Sequence, residues 1–502
     1  MEDEWTVDAN EALNISLVRP TSSGLDTVAS FNPKFTYPIF GDDERIFGHK
    51  GLKVNLQYDA RDLRPNLSVS SSRKFTAVGD IEPLDVRATL KEFLPGVAFQ
   101  SKKEYDQALK SLPDTWAPPG TLLKTFNKDG ATYEIWHGTL DDPAVFQLVR
   151  RIQITVLFFI EGGSYIVEDE PDKSSPRWSV FFVYRRELDS EANSKPQYTF
   201  QGYATTYKFW MYQQPTPPAS PILSYGGARL TGKEADDSWN LPDEDDPNYE
   251  MVHRMRISQF IILPSFQGKG IGAFLYNTIF EAATRSQATK EVTVEDPNED
   301  FDLLRDLCDL KYMRKNVPEF LDLQVNTDVA IPQKGGLLHH GTQISPTEAD
   351  VSSEGIVDII KLEDLRIKNK IAPRQFWRLI EMHLMSKLPE SVRPQSDADA
   401  KKPTASKADK HAYTLWRLLL KQRLYRRNKS VLGEFEITER ILKLNETLNN
   451  VEWEYARILD RVESKPVVTL DVVVANGKRK LDGDNHSEGS TSKKARVEEE
   501  DV

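Results

Sequence analysis

The chain has 502 residues, which at roughly 100 to 200 residues per domain allows two to four domains. A hydrophobic content of 39% can bury enough apolar surface to offset chain entropy, so most of the chain is expected to be globular. The single cysteine excludes an intramolecular disulfide, and the formal charge of -12 argues against non-specific binding to duplex nucleic acid. The apolar runs are shorter than the roughly 20 residues that span a bilayer, and no signal-peptide pattern is seen. We therefore expect an intracellular protein without a membrane span.

Residues 1–115 mix extended and helical patterns. Residues 54–58 have strand-like composition and residues 103–112 have helical spacing, which together predict a small α+β domain. Residues 116–121 read Trp-Ala-Pro-Pro-Gly-Thr, a proline and glycine cluster typical of a domain boundary.

Residues 120–325 are predicted to form the second domain, around a mixed, mostly antiparallel sheet. Aromatic and β-branched residues separated by turn residues indicate five strands, at 133–136, 152–160, 179–184, 203–212 and 255–263. Residues 215–248 are rich in Pro, Asp and Gly and are predicted to be a long insertion. From Gly270 the spacing becomes helical and a strand follows at 291–294, so the two strands of this βαβ unit should be parallel neighbours.

Residues 345–465 are highly charged with helical periodicity, which predicts a helical C-terminal domain. Residues 470–502 are polar and charged and are predicted to be a disordered tail. Two basic clusters in this tail, at 478–480 and 493–496, are typical of a bipartite nuclear import signal, although a solvated charged tail would have the same composition. An import signal would allow both nuclear and cytoplasmic residence.

The glycine-rich stretch 267–273, Gln-Gly-Lys-Gly-Ile-Gly-Ala, is the most informative motif. It follows an apolar strand and precedes an amphipathic helix, where free N–H groups and the helix dipole favour a pyrophosphate. An ordinary strand-to-helix turn is the alternative. The P-loop pattern is absent, and the antiparallel sheet before the motif disfavours a dinucleotide fold. The pattern of Gln267, Gly270 and Gly272 resembles the pyrophosphate loop of the GCN5-related N-acetyltransferase superfamily.

That resemblance implies acetyl-coenzyme A as cosubstrate, with its pantetheine arm paired to the preceding strand, and no metal. The residues to which it assigns cofactor binding are Phe260, Ile261, Ile262, Gln267, Gly268, Lys269, Gly270, Ile271, Gly272, Ala273 and Asn298.

A second set of motifs narrows the family. Residues 292–299 (Val-Thr-Val-Glu-Asp-Pro-Asn-Glu), 304–306 (Leu-Arg-Asp), 256–260 (Arg-Ile-Ser-Gln-Phe) and 40–52 resemble, in order along residues 1–465, the catalytic subunit of type B histone acetyltransferases. The resemblance implies acetylation of lysines near the N-terminus of newly made histone 4, before its deposition on DNA. It also implies a WD-repeat histone-binding partner subunit, and neither direct nucleic-acid contact nor membrane association. Leu307 departs from the family, because that position can carry a basic cofactor contact.

Acyl transfer to lysine needs a neutral amine, and removing the proton at pH 7 costs about 4.6 kcal/mol for a pKa of ~10.4. A buried carboxylate with a raised pKa can accept that proton. Period-two alternation with Val292 and Val294 facing the core places Glu295 on the opposite side, at the end of a strand that Pro297 stops by forcing an extended Asp296. Glu295 is the predicted general base. Asp296 is a secondary candidate, and Glu161, after the predicted strand 152–160, is an assisting carboxylate on a second strand.

The basic histone tail should meet carboxylates and aromatic rings. By resemblance, Asp42, Asp43 and Glu44 line the tail together with Tyr207, Lys208 and Phe209, although a surface turn and a sheet core would use the same residue types.

Cys308 has no adjacent basic group and is predicted to be a buried structural thiol. Two alternatives to a histone acetyltransferase stay open: an acetyltransferase of the same fold for another protein or amine, and a non-catalytic histone chaperone or scaffold.

Overall fold

The computed structural model describes residues 4–22, 24–113, 115–168, 170–187, 197–211, 251–329, 355–397, 402–464 and 472–473. Its contacts divide the chain into two compact units. The first consists of Met1–Phe209, Arg256–Ile279 and Thr469–Val502, and the second of Trp210–Met255 and Phe280–Val468. Within the described part of the chain, no helix is both long and apolar enough to cross a membrane.

The N-terminal part of the first unit is an α+β arrangement, as predicted. Its four-stranded sheet has the order β3-β2-β6-β7, in which β2 and β6 are parallel and the other pairs antiparallel. The strands are β1 (Thr6–Asp8), β2 (Leu13–Thr21), β3 (Gly24–Phe31), β4 (Arg45–Phe47), β5 (His49–Lys50), β6 (Lys53–Asp59), β7 (Pro65–Ser70) and β8 (Arg73–Lys74). The helices are α1 (Ala9–Ala12), α2 (Tyr37–Phe40), α3 (Val86–Lys91) and α4 (Lys102–Ser111).

The central sheet has seven strands in the order β14-β13-β12-β11-β10-β9-β15. The strands are β9 (Thr121–Lys128), β10 (Ala131–Thr139), β11 (Trp178–Glu187), β12 (Gln197–Trp210), β13 (His253–Ile262), β14 (Thr289–Val294) and β15 (Val472–Val473). Register pairs make β15, β9, β10, β11 and β12 successively antiparallel. The mixed, mostly antiparallel sheet is therefore confirmed. Val472 and Val473 pair with β9 although they fall within residues 470–502, predicted to be a disordered tail, so the prediction is wrong for these two residues.

The predicted βαβ unit is also confirmed. The helix α7 (Ile271–Arg285) connects β13 to β14, and the two strands are neighbours in the sheet. Within the second unit, the Thr289 hydroxyl lies 2.9 Å from His253 Nε2, and the Thr293 hydroxyl donates to the Met255 carbonyl at 3.4 Å. Because residue numbers rise together on both strands, β13 and β14 are parallel.

The strand predicted at residues 152–160 is wrong. The segment is helical, with α5 (Pro143–Ile152) followed by α6 (Ile154–Phe159). Asp142 caps α5 by accepting from the Ala144 N–H, and Pro143 occupies the first turn, where its missing N–H costs nothing. The β-branched residues of α6 suggested a strand, but an apolar run that is buried on all sides fits a core helix equally well.

The buried core of the first unit spans both sides of the boundary predicted at 116–121. One hydrophobic cluster contains Leu17 and Leu56 from the N-terminal sheet, Phe158 from α6 and Phe182 and Tyr203 from the central sheet. The division into domains at residues 115–120 therefore stays a prediction.

A buried polar turn at residues 59–64 joins these parts of the first unit. Its backbone accepts hydrogen bonds from Phe200 N–H of β12 at 2.8 Å and from the Tyr184 hydroxyl of β11 at 2.9 Å. The Arg61 guanidinium pairs with Asp59 at 2.6 Å and donates to the Leu109 carbonyl at the end of α4. The turn is thus bonded to strands and helices that are distant in sequence.

An ion pair also ties this turn to α5. Arg151, which is 2% exposed, donates to the Asp62 carboxylate at 3.1 Å and to the Asp62 carbonyl at 3.0 Å. Removing one partner of a buried pair typically costs about 3 to 5 kcal/mol, because the other charge is left uncompensated.

The second unit is largely helical after β14. Its helices are α8 (Glu299–Asn316), α9 (Pro318–Leu321), α10 (Ile359–Lys368), α11 (Pro373–Ser386), α12 (Lys407–Arg427), α13 (Lys429–Gly433) and α14 (Ile437–Ser464). These bounds bear out the helical character predicted for residues 345–465, within the part that the structure describes.

Buried charges hold these helices together. Arg378 of α11 donates to Asp306 of α8 at 2.5 Å, and Asp306 is fully buried. Glu381, also of α11, accepts from Arg423 of α12 at 2.5 Å and from the Tyr455 hydroxyl of α14 at 2.8 Å. Burial raises the pKa of Glu381, and the Arg423 guanidinium opposes that rise. Asp306 is therefore paired with a cation, and Glu381 with a cation and a hydroxyl.

Stability should depend on pH through Asp59. Burial raises the pKa of Asp59 to about 6, the neighbouring Asp62 adds to the rise and Arg61 opposes it. Since the unfolded pKa is ~3.9, the folded state holds this proton more tightly, and stability falls as pH rises from ~4 to ~6. An Asp59→Asn variant stays neutral, so the free energy of unfolding of the wild type minus that of the variant should fall by roughly 2 to 3 kcal/mol across this range.

Urea unfolding of both proteins at several pH values between 4 and 7 measures this difference. The exposed Asp80→Asn variant controls for the loss of one carboxylate. A difference that is constant or that grows with pH would refute the assignment of Asp59.

Candidate active site

The glycine-rich loop lies where the sequence predicted it, between a strand and a helix. The strand β13 ends at Ile262, a 3₁₀ turn covers Pro264–Phe266, and α7 begins at Ile271. Gly268 and Gly270 have φ angles of 73° and 76°, which are accessible to glycine at little cost. This conformation brings exposed backbone directly to the start of the helix.

Side chains at both ends of the loop hold it in place. Gln267 Nε2 donates to the Ile262 carbonyl at 2.7 Å, and the Lys128 ammonium of β9 donates to the Lys269 carbonyl. Lys269 itself donates to the Ser265 carbonyl at 3.2 Å. The polar side chain of the motif, Gln267, therefore holds the loop through its own backbone.

The start of α7 is suited to an anionic ligand. The N–H groups of the first helical residues, Ile271, Gly272 and Ala273, cannot bond within the helix, and the positive end of the helix dipole lies beside them. Residues 267–270 are exposed, so a ligand can reach this end. A diphosphate fits the loop by charge and by hydrogen bonding.

The strand leading into the loop approaches its neighbour closely. Phe260 and Ile262 are half-buried, and Ile261 is buried. A Cβ on Gly202 of β12 would lie 2.2 Å from the Ile261 carbonyl oxygen, so only glycine fits there. The Leu263 N–H donates to the Gln201 carbonyl at 3.0 Å and extends the pairing of β13 with β12 up to the loop.

The predicted base Glu295 lies in the second unit, just after the end of β14. Val292 is fully buried, Val294 is half-buried and Glu295 is exposed. The strand stops at Val294, as the proline predicted, but Asp296 is not extended: its φ is 30°. An aspartate tolerates a positive φ better than most residues, and this turn exposes its carboxylate as well.

Asn298, predicted to bind the cofactor, has a structural task. Its side-chain oxygen accepts from the Phe301 N–H at 2.9 Å and caps α8. Asparagine is a preferred residue at this position of a helix, and that signal was available in the sequence.

Glu161 lies in an exposed turn after α6 and not at the end of a strand, which corrects the prediction. The turn closes through a hydrogen bond of 3.0 Å from the Gly163 N–H to the Ile160 carbonyl. Tyr37 accepts from the Gly162 N–H at 2.8 Å, and Gln259 of β13 donates to the Ser164 carbonyl at 2.9 Å.

Two of the three acidic residues predicted to bind the substrate tail are exposed, namely Asp42 and Asp43. Glu44 is occupied instead: it accepts from the N–H groups of Thr36 and Tyr37 at 2.5 and 3.1 Å, and from the Asn10 amide at 2.9 Å. The Thr36 hydrogen bond lowers the pKa of the Glu44 carboxyl. Glu44 therefore supports the turn that carries the other two.

Tyr37 brings two predicted parts of the site together within the first unit. Its backbone bonds to Glu44 and its hydroxyl to the turn of Glu161. Sequence reasoning missed Tyr37 and the side chain of Gln259, since both act through partners more than 90 residues away. The Thr-Tyr-Pro sequence at 36–38 signalled a helix start and nothing more.

Residues 207–209 lie near the end of β12 and belong to the first unit. Tyr207 and Phe209 have ring centroids 4.8 Å apart and are half-buried. The Arg177 guanidinium lies 4.5 Å from the Tyr207 ring and donates to the Lys208 carbonyl, and Arg256 lies 4.2 Å from the Phe209 ring. One face of each ring is therefore already covered by an arginine. The next two aromatic residues of this segment are Trp210, which is exposed, and Tyr212, which lies outside the described residues, as do the insertion 215–248 and the basic clusters of the tail.

Cys308 is buried in α8, as predicted. Burial raises the pKa of its thiol to about 12, and the Asp309 carboxylate adds to the rise. The thiol is therefore protonated and a poor nucleophile. Among the described residues, no group of three His, Cys, Asp or Glu side chains is arranged to hold a metal ion.

Comparison with known proteins decides the family. Residues 5–161 match the histone acetyl transferase HAT1 N-terminus, residues 238–300 the acetyltransferase (GNAT) family and residues 348–389 the fungal HAT1 C-terminal region. The histone acetyltransferase type B catalytic subunit of Gibberella zeae is 48% identical, over 99% of this chain and 100% of that protein. Those of Pyricularia oryzae and Neurospora crassa are 46% and 41% identical, each over 99% of both chains.

The chain belongs to the family of type B histone acetyltransferase catalytic subunits. It is therefore an acetyltransferase, and the region matched to the GNAT family contains the glycine-rich loop and Glu295. GNAT acetyltransferases use acetyl-coenzyme A, whose diphosphate fits the start of α7 by charge and hydrogen bonding.

An alanine at Gly270 should weaken the binding of acetyl-coenzyme A. The positive φ strains alanine, and its Cβ would lie 2.6 Å from the Lys128 nitrogen that holds the loop. We expect the dissociation constant, measured by calorimetry, to rise on the order of 5- to 30-fold. Gly130 is the matched control, because it has the same φ of 76° but open space around its Cβ position. Equal effects of Gly270→Ala and Gly130→Ala on binding would contradict a ligand at this loop.

Proposed function

We propose that this chain transfers acetyl from acetyl-coenzyme A to lysine ε-amines in the N-terminal tail of newly synthesised, non-nucleosomal histone 4, by direct attack with Glu295 as general base. The observation that carries the proposal is one continuous βαβ unit. Its loop presents helix N–H groups suited to a diphosphate, and its second strand is followed directly by two exposed carboxylates.

Family membership supports the substrate class. The relatives are named as histone acetyltransferase catalytic subunits, and their similarity covers nearly the whole of this chain. A free histone tail is rich in Lys and Arg, and the acidic balance of this chain favours such a substrate over nucleic acid.

Bound acetyl-coenzyme A supplies the acetyl group as a thioester. The N–H groups at the start of α7 hold the diphosphate, and the edge of β13 offers hydrogen bonds to the pantetheine arm. The length of the strands supports this second role, because β13 has ten residues and β14 six, so β14 cannot pair with all of β13.

Glu295 takes the proton from the lysine ammonium, so that the neutral amine attacks the thioester carbonyl. A C–N bond forms, the C–S bond breaks, and the coenzyme leaves as its thiol after protonation. Because Glu295 is exposed, the bound tail has to exclude water from the carboxylate before the transfer becomes efficient. Asp296 is the secondary candidate for the base, and Glu161 is proposed as an assisting carboxylate.

Asp42 and Asp43 are proposed to attract the basic side chains of the tail. Tyr207 and Phe209 are half-buried between their arginines and neighbouring rings, and their remaining exposed surface is proposed to give apolar contact. A WD-repeat histone-binding subunit is the proposed partner and would raise the local concentration of the tail.

A Glu295→Gln variant should lose turnover and keep cofactor binding. With labelled acetyl-coenzyme A and a histone 4 tail peptide, we expect kcat at neutral pH to fall by about 10² to 10⁴, the range typical of a lost general base. Raising the pH should restore part of the rate, because the free amine becomes more abundant toward its pKa of ~10.4.

The exposed Glu299→Gln variant is the matched control and should keep its rate. If Glu295→Gln turns over like the wild type, Glu295 is not the base. If the wild type binds the tail and transfers nothing, even with a WD-repeat subunit added, the scaffold alternative holds. Faster transfer to an unrelated protein or small amine would favour the second alternative.

The double variant Asp42→Asn, Asp43→Asn should raise KM for the tail peptide by about three- to tenfold, because each exposed ion pair contributes up to about 1 kcal/mol. Its kcat should stay within twofold, and the defect should shrink at high salt. Asp80→Asn with Glu82→Gln removes the same charge from another exposed turn of the first unit and should leave KM unchanged. An equal change in both double variants would indicate a general charge effect and no tail contact.

A further inference from the structure

Lys370 links the helical region of the second unit to α7 and β14. The glycine-rich loop precedes α7, and Glu295 follows β14. It follows α10, and it lies within residues 348–389, which match the fungal HAT1 C-terminal region. Its backbone has a φ of 56°, in the left-handed region where a helix end normally carries glycine. A strained lysine at such a position points to a task for its side chain.

The side chain of Lys370 closes the carboxyl end of α7. Its ammonium donates to the carbonyls of Ala283 at 3.3 Å, Thr284 at 2.9 Å and Ser286. The last carbonyls of a helix have no partner within it and carry the negative end of its dipole, so a cation is well placed there. The other end of this same helix carries the glycine-rich loop.

The backbone of Lys370 holds β14. Its carbonyl accepts from the Val292 N–H at 2.8 Å, and Ile371 forms a parallel bridge to Val292. Since β14 is the last strand of the sheet, this short segment covers its outer edge.

Arg305 of α8 contacts the same residue of β14, Val292, at its backbone carbonyl. The Arg305 guanidinium donates to the Val292 carbonyl at 3.3 Å and pairs with Asp309 at 3.5 Å. Val292 is thus held at its N–H by Lys370 and at its C=O by Arg305. The segment between Val292 and Arg305 carries Glu295, so its position depends on both contacts.

We propose that Lys370 is a positioning residue for acetyl transfer, which fixes β14 and the end of α7 so that Glu295 is held in place for proton transfer. The inference rests on the proposed function and adds to it a role for the C-terminal helical region. Electrostatic help to the diphosphate is not part of this role, because the effect of a helix-end charge is confined to the nearest turn and α7 has 15 residues.

The test is steady-state acetylation of the histone 4 tail peptide by the full chain and by Lys370→Met, Lys370→Arg and Lys368→Met. Lys370→Met should lower kcat by about 5- to 50-fold, with KM for acetyl-coenzyme A within twofold, because a misplaced base slows the chemical step more than binding. Lys370→Arg keeps the charge and should recover at least half of the loss. Lys368, two residues earlier and 71% exposed, is the matched control and should have no effect.

A second measurement separates positioning from stability. In the Glu295→Gln background, Lys370→Met should cost less than twofold in kcat, because a positioning residue has no effect once its target is gone. An equal loss in both backgrounds, or a loss that thermal unfolding fully explains and Lys370→Arg does not rescue, would overturn the inference. A wild type without acetyl transfer would overturn the proposed function, and this inference with it, whereas an active wild type with unchanged Lys370→Met overturns the inference alone.

Discussion

The first unit depends on one buried, charged turn, at residues 59–64. Asp59 and Asp62 are both buried, and each forms an ion pair with an arginine. Arg61, paired with Asp59, also bonds to the end of α4, and Arg151, paired with Asp62, belongs to α5. Such charges cost free energy to bury, so the turn is stable only when all of its partners are in place. The helix that carries Arg151 leads through α6 into the turn of Glu161, which Tyr37 and Gln259 hold in place.

The parts of the fold that local chemistry determines could be predicted from the sequence. The change from alternating to helical spacing at Gly270 located α7, and its flanking strands followed from composition. The segment 152–160 could not be assigned in this way, because apolar β-branched residues suit a strand or a fully buried helix. Asp142 and Pro143 marked the true helix start, ten residues before the apolar run, and only tertiary burial decides between the two structures.

The sequence identified which residues belong to the candidate site better than it identified what each of them does there. Gln267, Asn298 and Glu44 were proposed as ligand contacts, and each was found bonded to nearby backbone, where it shapes a loop, a helix start or a turn. Polar side chains in these motifs have both uses, and the sequence does not distinguish them. Tyr37 and Gln259 show the opposite case: their partners lie far along the chain, so no local pattern marks them.

The exposure of Glu295 constrains how the proposed reaction can work. A carboxylate in water is a much weaker base than a lysine amine, so taking the proton from a lysine ammonium is unfavourable there. In the proposed mechanism, transfer would become efficient only when the bound tail replaces that water, which would link tail binding to proton transfer. Selectivity would then follow from the same requirement, since an amine without the flanking tail would leave the Glu295 carboxylate exposed. The acidic turn at Asp42 and Asp43 and the rings of Tyr207 and Phe209 would in that case contribute to rate as well as to affinity.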